Sequence, residues 1–203
     1  MYWIFPQLEL YTWDLGLMYR RSAAKGSKMA QIKMRRAVEA DLRSIAAINT
    51  AVFLGDRDRL ESALEWVTCW FHAYQLYQYF VVEVDGTLAG YAGWQVHGGF
   101  KRAEPVVELD QIGIAREYQG LGLAPDLMRK CMREIVEWTK QKNDRIESHV
   151  TFVVWGYTFN FNALSVYAKQ FGDGVCGFRT QFGSRAESML RLRMPVILPV
   201  RDA

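Results

Sequence analysis

A chain of 203 residues is long enough for one domain with a sizeable core, and one domain is the better expectation than two. Half of the residues are hydrophobic and the formal net charge is only +3, so the composition excludes a disordered chain and does not indicate nucleic acid as a partner. Cys69, Cys131 and Cys176 are odd in number, far apart and without a Cys-x-x-Cys pair, which argues for a reducing compartment, taken as the cytoplasm, and against a metal site.

The first stretch, MYWIFPQLELYTWDLGLMYRRSAAKGSKMA, begins apolar, but Glu9 and Asp14 interrupt it and its positive charge follows rather than precedes it. It reads as neither a signal peptide nor a membrane span, and no membrane is expected. Residues 1–29 are taken as an N-terminal extension or tail, and residues 30–203 as a single domain. From Ile32 a strand runs to about Ala37, followed by a helix opening around Glu39 to Asp41 with Leu42, Ile45, Ala46 and Ile48 facing inward. Leu60, Ala63, Leu64, Val67 and Phe71 keep step in a second helix. Two apolar runs on either side of Asp85-Gly86 form the clearest hairpin signal.

The stretch PVVELDQIGI reads as a strand from Val106, and Gly113, between Ile112 and Ile114, suits a bulge in it. Next comes REYQGLGLAPDLM, in which Gly120 and Gly122 admit backbone conformations and close approaches that a side chain would block. Pro125 then marks the start of a helix whose Leu127, Cys131, Ile135 and Trp138 share one face. HVTFVVWGY is a buried-type strand, NALSVYAKQFG a short helix closed by Gly172, and SMLRLRMPVIL a last strand. This order implies the α/β class, with a mixed sheet flanked by helices.

The glycine loop between strand and helix has the outline of a phosphate-binding turn, because a helix N-terminus offers unsatisfied N–H groups and a positive dipole end. A dinucleotide fingerprint would need a third glycine where Pro125 stands, and a Walker loop would need Gly-Lys-Ser or Gly-Lys-Thr, which is absent. Gln119, two residues, Gly122, one residue, Ala124 instead resembles the acyl-coenzyme A signature of the GNAT superfamily of N-acyltransferases. Asn160, Ala163 and Tyr167 reproduce a second GNAT pattern downstream. The resemblance covers roughly residues 31 to 195, and departs from the family after Tyr167, where GDGVCGF intervenes before Phe178.

The resemblance implies a GNAT-like, mostly antiparallel mixed sheet and transfer of an acyl group, most often acetyl, from acyl-CoA to a primary amine by direct attack in a ternary complex. It implies acetyl-CoA as co-substrate, held by Ile112, Gly113, Ile114, Gln119, Gly120, Leu121, Gly122, Leu123, Ala124 and Asn160. Glu108 would be the base and Tyr167 the acid, with Asp110, which shares the strand face of Glu108, left open as the base in its place. Trp66, Trp70, Tyr74, Tyr77 and Tyr79 would supply an aromatic wall for the acceptor, or else core or a dimer surface. The acceptor is a small-molecule or peptide amine, and a homodimer is left open. Two alternatives stand beside this reading: a catalytically weak acyl-CoA-binding sensor or scaffold, and an acetylating toxin acting on aminoacyl-tRNA.

Overall fold

The alternation that starts at Ile32 builds β1 (Ile32–Arg36), which pairs antiparallel with β2 (Tyr77–Val84). The computed structural model describes residues 30–54, 59–99, 101–172, 175–181 and 185–196, so the proposed tail at 1–29 lies outside the described residues. Asp85 and Gly86 both take positive φ, 50° and 80°. These are the backbone signs of a two-residue turn whose twist matches its strands, and they return the chain into β3 (Thr87–His97). β3 pairs antiparallel with β4 (Val106–Ile114). β4 pairs parallel with β5 (His149–Tyr157), which requires a crossover, supplied by α3 (Leu123–Lys142).

Beyond β5 the sheet continues antiparallel through β7 (Arg185–Pro195) to β6 (Val175–Gln181), giving the order β1-β2-β3-β4-β5-β7-β6. One parallel pair among antiparallel neighbours is the mixed sheet expected. The sequence reading had a single strand after the last helix; the second is β6, a seven-residue edge strand that pairs only with β7.

Helices cover both faces. On one lie α1 (Leu42–Asn49), a π-helical turn (Thr50–Leu54) and α2 (Leu60–His72). Ile45, Ala46 and Val67, fully buried, meet Tyr77, Tyr79, Val81 and Tyr91 there. On the other, α3 presses Leu127, Met128, Cys131 and Ile135 against Phe80, Val82, Trp94 and Phe152, and each fully buried side chain contributes about 1.5–3 kcal/mol. α4 (Phe161–Gln170) sits beside α3 on this face. A Cβ on Gly156 of β5 would stand 2.9 Å from Leu164 Cδ2, so the bare backbone there sets how closely α4 approaches the sheet.

Two helix boundaries differ from expectation. α3 begins at Leu123, with Gly122 in the N-cap position, so Pro125 is its third residue rather than its first. Proline is still tolerated there, because an N–H in the first turn has no intrahelical partner. α4 ends at Gln170 in an extended Phe171 that is fully buried, and Gly172 is not left-handed. The end is fixed by burying the phenylalanine, not by a glycine cap.

Candidate active site

β4 keeps β3 as a neighbour along its length but keeps β5 for only four residues, Val106–Leu109 against Thr151–Val154. From Asp110 onward the two strands run without a ladder between them, and the sheet is split. The register with β3 also shifts at this point: Gly93 faces Gln111 and Trp94 faces Leu109, leaving Asp110 as the extra residue of a bulge. The bulge is therefore at Asp110, not at Gly113, which pairs regularly with Tyr91. A Cβ on Gly113 would stand 2.9 Å from Tyr91 Cε1 and 3.2 Å from Ile48 Cγ2, so that glycine serves packing between β4, β3 and α1.

Because of the extra residue, Asp110 and Gln111 both engage groups on the α1/α2 face. Tyr77 donates its hydroxyl to Asp110 Oδ2 at 2.7 Å. Gln111 Oε1 accepts from Asn49 Nδ2 and from the Tyr91 hydroxyl, each at 3.0 Å, and Asn49 Nδ2 also donates to Tyr91 at 2.8 Å. Tyr77 reaches Asp110 over Gly93, where a Cβ would fall 2.3 Å from its hydroxyl oxygen. Burial, then the neighbouring Tyr79 and Asp110, push the Tyr77 phenol far above its ordinary pKa, so it remains a donor.

Glu108 shares this face. Its Oε2 lies 2.6 Å from His97 Nε2, at the end of β3, and its side chain is 13% exposed against 40% for His97. The expected aromatic wall divides. Tyr77 and Tyr79 are core, and Trp70 packs on Tyr77 with ring centroids 4.7 Å apart. Trp66 and Tyr74 are exposed.

The opposite face carries the glycine loop. Ile112 and Ile114 are half-buried against the α3 core. After the 3-10 turn Arg116–Tyr118, Gln119 folds back and donates Nε2 to Ile114 O at 2.9 Å, bracing the loop on the end of β4. Gly120 and Gly122 take φ of 73° and 77°, conformations that favour glycine, and Gly122 leaves the first turn of α3 without a side-chain cap. A Cβ on Gly120 would meet nothing within 4 Å, so its constraint is the backbone angle alone. Leu121 is half-buried and Leu123 buried, so what they and Ala124 can offer a bound molecule is chiefly backbone.

Asn160 has a local role: its Oδ1 accepts from the Ala163 N–H at 3.2 Å and caps α4. That bond accounts for the asparagine of the motif; at residue 163 it uses only the backbone N–H. Tyr167, two turns on, lies near Gly156, packs its ring 6.4 Å from Phe171, and has no hydrogen-bond partner for its hydroxyl among the described residues. Burial pushes this phenol up to about 12.

The sequence model of the Acetyltransferase (GNAT) family matches residues 42–172, which takes in α1 through α4 and the whole split. This chain belongs to the GNAT family. Solved GNAT-like structures agree in fold. A ribosomal-protein-alanine N-acetyltransferase from Brucella melitensis is 19% identical, with a TM-score of 0.54 over 80% of this chain and 99% of that one. A GNAT-family acetyltransferase from Streptococcus pneumoniae is 15% identical, with a TM-score of 0.54 over 81% and 99%. A ribosomal α-N-protein acetyltransferase in complex with coenzyme A is 14% identical, with a TM-score of 0.59 over 80% and 94%. No curated protein matches the chain significantly.

Within this GNAT site, sequence reasoning missed His97, Tyr77 as a partner of Asp110, and Gly93, because each acts through a strand neighbour distant in sequence. Among the described residues, no three His, Cys, Asp or Glu side chains gather as metal ligands, and no helix is long and apolar enough to cross a membrane.

Proposed function

We propose that this GNAT chain transfers an acetyl group from acetyl-CoA to a primary amine by direct attack, with donor and acceptor meeting at the split between β4 and β5. The observation that carries the reading is the split with its bulge: one face presents the glycine loop and the N-terminus of α3, the other presents Glu108 and Asp110. The loop from Gly120 to Ala124 holds the pyrophosphate through backbone N–H groups, supported by the positive end of a twenty-residue helix. Ile112, Gly113 and Ile114 line the strand edge along which the pantetheine arm would lie.

An amine with a pKa of about 10 arrives mostly as ammonium, so a carboxylate face both attracts it and supplies its base. Removal of the proton depends on Glu108. The oxyanion that develops on the thioester carbonyl oxygen is met by backbone N–H groups of β4 released where the ladder to β5 ends. On the leaving side Tyr167 keeps its proton at neutral pH and hydrogen-bonds the sulfur as charge develops. With its phenol raised to about 12, protonating a free thiolate outright would be uphill, so transfer accompanies departure of the thiol. No cysteine intermediate is invoked: Cys131 is fully buried on the α3 stripe, and burial raises its thiol well above the ordinary range.

The test is a thiol-release screen with acetyl-CoA across polyamines, amino acids, arylamines, aminoglycosides, aminoacyl-tRNA and peptides with free N-termini. Peptides belong in it because two proteins of similar fold are described as ribosomal-protein N-acetyltransferases. Amine-dependent release supports the reading; acetyl-CoA binding with no turnover on any amine supports a sensor or scaffold instead.

A further inference from the structure

We infer that His97 is a positioning residue for the acceptor-side carboxylate: it donates Nε2–H to Glu108 and fixes which oxygen faces the incoming amine. The inference rests on the N-acetyltransferase reading for its consequence, but on geometry for its premise. Glu108 stands across from Gln95 on β3 and Val153 on β5, one residue before the ladder between β4 and β5 ends. His97 lies two residues further along β3, level with Val106, on the side away from the split. The imidazole therefore approaches Glu108 from behind, and its 2.6 Å contact engages Oε2. A carboxylate only accepts hydrogen bonds, so against the carboxylate form of Glu108 the shared proton is carried by Nε2. Oε1 is left for the acceptor.

This arrangement has a parallel next door. Asp110, on the same face, is held from the side by the Tyr77 hydroxyl, and Gln111 by Asn49 and Tyr91. Each polar side chain presented by β4 to the acceptor face around the bulge is thus pinned by a group from β2, β3 or α1. A carboxylate whose rotamer is locked before the amine arrives avoids ordering cost during the reaction, which is the general advantage of a preorganised base. The sequence offered no clue, since His97 and Glu108 are separated by the whole β3–β4 connection.

Three measurements test the inference. Long-range nitrogen NMR of the histidine side chains should show His97 as the Nε2–H tautomer in the wild type, with that bias lost in Glu108→Leu; an Nδ1–H tautomer in the wild type overturns the proposal without any acceptor being known. With an amine found by the screen, His97→Leu should lower kcat about tenfold and leave KM for acetyl-CoA unchanged, whereas His97→Gln, which keeps a side-chain N–H, should stay within about threefold of wild type. In a Glu108→Gln background His97→Leu should cause no further loss. A full additional loss there, or wild-type kcat in His97→Leu, overturns the positioning role. Failure of acetyl-CoA to bind by calorimetry would instead count against the enzyme reading, and the NMR result would stand on its own.

Discussion

Asp110 and Gln111 are adjacent in sequence and yet both hydrogen-bond to the α1/α2 face, one to Tyr77 and the other to Asn49 and Tyr91. In a regular strand consecutive side chains point to opposite faces. The extra residue at Asp110 removes that alternation once, and it does so where the ladder to β5 stops. Polar side chains are thereby concentrated on the α1/α2 side of the split, while Ile112 and Ile114 return to the α3 side.

Gly93 makes this arrangement fit. Gly93→Ala should cost about 1–3 kcal/mol, because the new methyl would stand 2.3 Å from the Tyr77 hydroxyl and 2.9 Å from its ring. Urea unfolding measures the loss. Acetyl-CoA affinity by calorimetry should change little, since the glycine loop is on the other face; a large drop in affinity would show that the two faces are not separable.

The loop makes a contrasting pair of predictions. Gly122→Glu places a negative side chain at the N-cap of α3 and should weaken acetyl-CoA binding at least tenfold. Gly120→Ala meets no neighbour, so its penalty is the left-handed backbone alone, about 1–2 kcal/mol of stability. Unchanged affinity in Gly122→Glu would remove the pyrophosphate assignment.

For Tyr167→Phe, turnover should fall tenfold or more with coenzyme affinity nearly intact, because the ring remains against Phe171 while the hydroxyl is lost. Single-turnover kinetics is the appropriate measurement. A chemical step as fast as in the wild type would leave Tyr167 a packing residue only.

Stability at low pH should report on a different network. Arg35 donates to both oxygens of Asp41 and, from Nε, to Glu83 at 2.9 Å, tying β1 to β2 and to the start of α1. Burial works against the Asp41 carboxylate, but the Arg35 hydrogen bonds, the Val38 N–H and the Arg35 charge outweigh it and hold its pKa below the ordinary value. Its contribution is therefore complete above an unfolded-state pKa of about 3.9 and is lost as the pH falls through the lower folded value. Asp41→Asn should cost about 1.5–3 kcal/mol at pH 7, and the gap to wild type should narrow as the pH falls below about 3.9. A gap that persists undiminished in acid would assign the loss to packing.

Much of this fold is local in the sequence, and those parts were readable. The α3 stripe declares itself by helical spacing from Leu127 to Trp138, and the β2–β3 turn by Asp85-Gly86. Gln119, Gly122 and Ala124, with Asn160, Ala163 and Tyr167, carry the family resemblance, and the left-handed backbone at Gly122 and the α4 cap at Asn160 give two of them physical meaning. β6 was missed because VCGFRTQ has little alternation and pairs with a strand that follows it. The bulge was misplaced for a related reason. Register is a property of two strands together, and Gly113 offered a glycine where the shift in fact follows from how Gly93 and Trp94 meet β4. His97 shares this blindness, being linked to Glu108 only once β3 and β4 are side by side.

The split sheet has one further consequence. One face of the sheet packs under α1 and α2 and the other under α3 and α4, with β2 and β3 contributing side chains to both. The exposed apolar residues Phe53 and Trp66 lie on the α1/α2 face. On the proposed function, substitutions there would change which amine is accepted while leaving the glycine loop on the other face untouched, so one scaffold could drift among recipients without losing its acyl donor.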